Sequence, residues 1–205
     1  MPDHLLIFAR HPVLGQGKTR LASTIGPAEA LAVYGELLAH TRTAADGVAA
    51  LKTLWLAGEV PPNGSLFAEW ADYEQRPQPT GDLGQRLHQA FATAFAAGAT
   101  AAVVIGTDCP ELTSAHLADA FRQLDTHDVV VGPALDGGYY LLGTRKLVPE
   151  FFVNKLWSTP FVLGATLADA SRLGLRVARL PPLADVDTAE DLAAWRARAA
   201  TETPA

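Results

Sequence analysis

The sequence predicts an open α/β fold, and three observations carry that prediction. Short apolar runs at 5–9, 53–57, 101–105 and 128–132 alternate with segments whose apolar residues recur at helical spacing. The run at 101–105 is rich in β-branched residues and lies between Gly98 and Gly106, as a short buried strand would. That run then turns through Gly106 and Thr107 into Asp108, and Pro110 prevents the ladder from continuing. Open α/β sheets bind ligands at the C-terminal edge of their strands. A carboxylate placed there can hold a hard cation, since Mg²⁺ takes one or two carboxylates together with substrate phosphates. The plainer reading is that Asp108 only caps a turn.

Bulk properties narrow the function. The chain has 205 residues, enough for one sizeable core, and no linker-like stretch divides it. We expect a single domain over 1–200, with 201–205 as a frayed tail. A formal charge of -6 and a pI near 5.4 argue against a nucleic-acid partner or an anionic membrane, which need clustered Lys and Arg. Cys109 is the sole cysteine, so no internal disulfide forms; we read it as a small buried hydrophobe rather than a nucleophile. The uncharged run 89–106 carries glycine and threonine and suits a helix followed by a strand better than a membrane span. The N-terminus enters a strand without a basic region or cleavage signal, so a cytoplasmic location is expected.

In chain order, the strand at 5–9 is followed by a loop containing Arg10, Pro12, Gly15, Gly17, Lys18 and Arg20. Glycines let backbone N–H groups approach an anion, and Lys and Arg supply charge, so this is a candidate phosphate loop. Its Gly17-Lys18-Thr19 matches a P-loop only in part, because Pro12 stands where the first glycine belongs. Pro27 opens a helix with Leu31, Tyr34, Leu38 and Thr41 on one face. A strand at 53–57, a short helix at 65–71 and a weaker strand at 73–75 follow. A loop at 77–84 leads to a helix with Leu87, Phe91 and Phe95 inward, ending at Gly98. Arg86 lies in that helix's first turn, against the dipole's preference, which suggests a role outside the helix.

Beyond Asp108, Thr113 can cap a helix presenting Leu117, Phe121 and Leu124. After the strand at 128–132, Asp136-Gly137-Gly138 is a turn signal that reads either as a hairpin or as an open backbone that a substrate approaches, with Asp136 and Tyr139 facing it. Thr159 and Pro160 open a further helix, with Leu163, Leu167 and Ala170 inward and Gly174 at its end. A last strand at 176–180 leads to Asp185, Val186 and Asp187. Thr188 and Asp191 then form an acidic variant of a capping box for a helix carrying Leu192 and Trp195.

Six motifs in order, FARHPVLGQGKTRLA, GDLGQR, IGTDCPEL, GPALDGGYYLLG, WSTP and DVDTAEDL, resemble the DUF2064-type family of GT-A transferases. That group is related to the nucleotide-diphospho-sugar transferases and is labelled glycosyltransferase. The chain is also similar to the phospholactate guanylyltransferase and molybdopterin nucleotidyltransferases. The resemblance runs nearly end to end. It implies a GT-A (nucleotide-diphospho-sugar transferase) fold, a mixed, mostly parallel sheet with helices on both faces. It implies a nucleotide near Ala9, Arg10, Gly15, Lys18 and Arg20 and near Gly81, Asp82, Leu83 and Arg86. It places Asp136, Gly137, Gly138, Tyr139 and Trp157 by the acceptor, and Mg²⁺ or Mn²⁺ on Asp108 and Asp187. Lys18, Arg20, Asp108 and Asp136 are then the candidate reacting groups. Many GT-A glycosyltransferases carry Asp-x-Asp at the metal, whereas Asp108-Cys109-Pro110 offers one carboxylate.

The expected activity is metal-dependent transfer from a nucleotide-activated donor. Nucleotidyl transfer from a nucleoside triphosphate to a small acceptor leads, because a cationic loop suits a triphosphate. Glycosyl transfer from a sugar nucleotide is the alternative, and a non-catalytic nucleotide-binding module a second one. The same placement predicts that Asp108 and Asp187, each just before a turn into a helix, reach one sheet edge; otherwise Asp187 merely caps the last helix.

Overall fold

The structure is a computed structural model that describes residues 2–58 and 68–202. Strands β1 (His4–Arg10), β2 (Leu51–Ala57), β3 (Glu74–Pro77), β4 (Ala102–Ile105), β5 (Val129–Pro133), β6 (Tyr139–Thr144) and β7 (Val177–Arg179) form one sheet in the order β3-β2-β1-β4-β6-β5-β7. β6 alone runs against its neighbours: it pairs antiparallel with β4 and β5, and the remaining pairs are parallel. The C-terminal ends of β1, β4, β5 and β7 therefore lie along one edge. This is the expected mixed, mostly parallel α/β sheet.

Strand period decides which helix each side chain meets. Leu5, Ile7, Val103 and Ile105 point to one face, where they pack with Tyr34 and Leu38 of α2 (Pro27–Asp46) and Leu117 and Ala120 of α4 (Ser114–Gln123). Leu6, Ala102, Val104 and Leu142 point to the other, against Leu87, Phe91 and Ala94 of α3 (Leu83–Ala96) and Ala170 of α5 (Val162–Arg172). A third cluster joins Leu21 of α1 (Thr19–Ile25) and Val33 and Leu37 of α2 to Trp195 of α6 (Ala189–Glu202). These side chains are almost fully buried, so each Leu, Ile, Val and Phe among them contributes roughly 1.5–3 kcal/mol of transfer free energy.

Several local expectations shift. The cationic loop ends earlier than its sequence suggests, because Thr19 already begins α1. α3 starts at Leu83, since the Asp82 carboxylate accepts the Gln85 N–H and Gln85 returns the bond to the Asp82 N–H. α5 starts at Val162, later than Pro160, and buries Val162, Thr166 and Ala170, leaving Leu163 and Leu167 half-buried. Pro160, just before it, packs against Gly137, where a side chain would strike the Pro160 backbone. Leu31 is likewise half-buried, and Ala30, Val33 and Leu37 widen the inner face of α2. The short helix expected at 65–71 is a 3-10 turn at Ala68–Trp70, and 65–67 lie outside the described residues. α6 continues through Thr201 to Glu202, into the stretch expected to fray, and 203–205 lie outside the described residues.

Candidate active site

Three carbonyl or carboxylate oxygens meet at the C-terminal edge of the sheet, and Lys18 sits among them. Asp108 follows β4, and Val186 and Asp187 follow β7. The Val186 N–H donates to the Asp108 carbonyl at 2.9 Å, which ties the two loops together. Lys18 Nζ lies 2.5 Å from Asp108 Oδ1, 3.0 Å from Asp187 Oδ1 and 2.7 Å from the Val186 carbonyl oxygen. Arg20 takes the other Asp187 oxygen at 2.8 Å. Burial alone would lower the Lys18 pKa, but the Asp108 and Asp187 carboxylates outweigh it and hold the ammonium above the ordinary lysine range.

Asp108 and Asp187 therefore do reach one sheet edge, on either side of the Lys18 ammonium. Asp187 is not the cap of α6. That task falls to Thr188 and Asp191, where the Thr188 N–H donates to Asp191 Oδ2 at 2.8 Å and the Asp191 N–H to Thr188 Oγ1 at 3.2 Å. Among the described residues no three His, Cys, Asp or Glu side chains gather to hold a metal ion. What gathers is two carboxylates and one carbonyl, all hard oxygen donors, which suit Mg²⁺ or Mn²⁺ completed by water and nucleotide phosphates.

Two cavities open on either side of this cluster. The first, about 400 Å³, is lined by Phe8, Ala9, Arg10, Gly17, Lys18, Tyr34, Ala57, Gln78, Leu83, Arg86, Thr107, Asp108 and Asp187. The second, about 660 Å³, is lined by Arg10, Gly15, Gln16, Gly17, Lys18, Thr19, Arg20, Ser158 and Asp187. Arg10, Gly17, Lys18 and Asp187 belong to both. Tyr34 secures the first wall, since its hydroxyl accepts the Arg10 N–H and donates to the Arg10 carbonyl, each at 2.9 Å. Gln78 bridges strands by donating to the carbonyls of Ala9 and Trp55. Arg86 reaches back to the Gly81 carbonyl at 3.0 Å, which accounts for a cation in the first turn of α3.

Of the residues expected at the nucleotide, Ala9, Arg10, Gly15, Lys18, Arg20, Leu83 and Arg86 line these cavities, whereas Asp82 is spent on capping α3 and Gly81 on holding Arg86. The residues expected at the acceptor are not among the lining of either cavity. Asp136, Gly137 and Gly138 form the tight link of a hairpin between β5 and β6, with the Asp136 carboxylate accepting the Gly138 N–H at 2.8 Å. Tyr139 is half-buried and packs against the cluster that contains Leu6, Val104 and Leu142; burial pushes its pKa up, and its hydroxyl has no partner. Trp157 lies against Gly84, where a side chain on Gly84 would collide with the indole.

Sequence reasoning missed Tyr34, Gln78, Thr107, Ser158 and Asp185 as site residues. Tyr34 reads as one member of a helical stripe, and Gln78 and Ser158 as loop. Asp185 lies behind Asp108: the Cys109 thiol donates to its Oδ1 at 2.6 Å, and burial, reinforced by the neighbouring carboxylates, pushes it up to about 6. Cys109 is buried, as expected for a small hydrophobe, and burial pushes its thiol up.

The sheet order, the helices on both faces and the carboxylate edge define a transferase of the nucleotide-diphospho-sugar transferase fold. The chain belongs to the family described as "Uncharacterized protein conserved in bacteria (DUF2064)", whose model matches residues 40–159. A provisionally assigned nucleotide-diphospho-sugar transferase from Desulfovibrio desulfuricans G20 is 29% identical, covers 98% of this chain and 89% of its own, and superposes with a TM-score of 0.90. CMP:2-keto-3-deoxy-manno-octonic acid synthetase complexed with CTP shares the fold at 14% identity and a TM-score of 0.59, over 98% of this chain and 100% of that one. A Mycobacterium tuberculosis H37Rv protein in complex with manganese does so at 17% identity and a TM-score of 0.53, over 95% and 97%. No curated protein matches. Among the described residues no helix is long and apolar enough to cross a membrane.

Proposed function

We propose that the protein transfers a nucleotidyl group from a nucleoside triphosphate to a small phosphorylated or hydroxylated acceptor. The observation that carries this reading is the second cavity. It adjoins the first, with Arg10, Gly17, Lys18 and Asp187 lining both, and Arg10 and Arg20 line it beside a glycine-containing loop. A nucleoside in the first cavity would extend its phosphates across the shared wall into a cationic chamber, which suits the two distal phosphates of a triphosphate. Leu83 and Phe8 offer apolar contact to a base, and Gln78 and Arg86 offer polar contact.

Asp108 and Asp187, with the Val186 carbonyl, would hold Mg²⁺ or Mn²⁺. Such an ion, when bound, supplies positive charge to the phosphate oxygens of the donor. Attack at the α-phosphorus forms one P–O bond and breaks the bond to pyrophosphate, which leaves with the charge. Arg20, and Lys18 once freed from the carboxylates, would stabilise that charge, and donors of this kind are commonly worth about 3 kcal/mol of barrier. A phosphate acceptor would need no base. For a hydroxyl acceptor, Asp136 would be the base, since it is exposed and only its Oδ1 is engaged, by the Gly138 N–H.

Glycosyl transfer from a sugar nucleotide is the second reading, favoured by the description of the Desulfovibrio relative. Incubation with a panel of triphosphates and sugar nucleotides, with products read by mass spectrometry, separates the two. Pyrophosphate release is expected; nucleoside diphosphate release with sugar transfer would overturn nucleotidyl transfer. Tight nucleotide binding without any product would point instead to a binding module.

A further inference from the structure

We infer that the Lys18 ammonium is a latch that holds the cation position between Asp108 and Asp187, and that a divalent cation must displace it to bind. An ammonium has three N–H donors and no acceptor. Around Lys18 Nζ stand three oxygens, Asp108 Oδ1 at 2.5 Å, the Val186 carbonyl at 2.7 Å and Asp187 Oδ1 at 3.0 Å. All three donors are therefore committed to the oxygens that suit a hard cation, and none remains for a phosphate. Lysine and metal ion would occupy one position, so they exclude each other.

The surroundings suit an exchangeable occupant. The Lys18 side chain is 6% exposed, while those of Asp108 and Asp187 are 47% and 35% exposed, so an incoming ion meets the carboxylates first. Lys18 has a left-handed backbone (φ 46°, ψ 38°), a shape that a non-glycine residue keeps only where its surroundings hold it. It follows Gly17 at φ 115° and immediately precedes α1, so rotation about Gly17 and Lys18 moves the side chain without disturbing a sheet strand. Once released, the ammonium stands at the wall between the two cavities, where the donor's phosphates would lie. Ion binding and the arming of Lys18 for phosphate are then one event.

This inference rests on reading Asp108 and Asp187 as the ion's carboxylates, and the test separates the two. Binding of Mn²⁺ alone, without nucleotide, is measured from the electron paramagnetic resonance of the free ion for the unaltered protein, Lys18→Met, Asp108→Asn and Lys18→Met/Asp108→Asn. Removing one opposing charge from the pair should tighten Mn²⁺ binding by about tenfold or more in Lys18→Met, and Asp108→Asn should cancel the gain. If Lys18→Met binds no tighter while Asp108→Asn weakens the unaltered protein, the ion site stands and the latch is wrong. If Asp108→Asn changes nothing in either background, the carboxylate reading fails and the latch with it. The unaltered protein provides a measurement that does not depend on a variant folding. Amine labelling of Lys18 should rise when Mn²⁺ is added, and unchanged labelling at saturating Mn²⁺ would overturn the latch.

Discussion

Two cations in this molecule are each bracketed by a pair of aspartates, at opposite ends of the same sheet. Lys18 stands between Asp108 and Asp187 at the C-terminal edge. Arg42 stands between Asp46 and Asp72, beside the N-terminal ends of β1, β2 and β3. Arg42 projects from the regular helix α2, grips Asp72 with two parallel bonds of 2.8 and 2.7 Å, and lies 4.1 Å from the centre of the Tyr73 ring. A planar fork fixed by a stacked ring is a fastener. Lys18 is a flexible point charge on a left-handed backbone, bordered by two cavities. The charge pattern is shared, but backbone and surroundings make one cluster a brace and the other a candidate site.

The widest expected separation comes from Asp108→Asn, which should lower the rate of pyrophosphate release by about 100-fold or more while leaving the melting temperature nearly unchanged. Asp187→Asn follows. It should weaken metal-dependent nucleotide binding by about tenfold or more, the least that even a supporting residue of a metal site costs. Thermal stability should hold in that variant because Asp191, not Asp187, pairs with Thr188. A large loss of stability without loss of binding would make Asp187 structural.

At the other end the order should reverse. Arg42→Met should lower the melting temperature by about 2–4 °C, with turnover unaltered. The smallest effect concerns His4, which is buried beside Thr53 with a 2.8 Å hydrogen bond. Burial holds its pKa below the ordinary value, with Glu74 pulling the other way. The unfolded chain then binds the proton more readily, so this contribution to stability is complete above the unfolded pKa of about 6.5 and is lost as the pH falls towards the folded value. Urea midpoints between pH 5 and pH 8 should show this slope, as conditions in which about one proton is taken up on unfolding, and His4→Gln should flatten it.

The sheet and its carboxylate edge were legible because their signals are local. Alternation within β1 and β4, the turn after Ile105 and the Thr188–Asp191 pair all lie within a few residues of one another. What escaped depends on distant partners. The close approach of Pro160 to Gly137 joins residues 23 apart, and the role of Gln78 follows from its bonds to Ala9 and Trp55. Asp108 and Asp187 could be placed at one edge from strand ends alone, but that Lys18 would take the point between them could not. That contact spans 169 residues to Asp187 and depends on a backbone angle that lysine seldom adopts. The role of Asp136 and Tyr139 stayed open because a turn sequence rich in glycine serves a hairpin as readily as a substrate.

The two outermost strands have a bearing on how the protein behaves at high concentration. β3 is only Glu74–Pro77, with Arg76 in it and a proline, which lacks an N–H, at its end. β7 is shorter still, Val177–Arg179, and finishes on an exposed arginine. Each margin offers a neighbouring molecule few open hydrogen-bonding groups and places charge beside them, the usual safeguards against strand addition. Growth of the sheet from one molecule into the next is discouraged at both margins, so self-association by edge pairing should be disfavoured even in crowded solution.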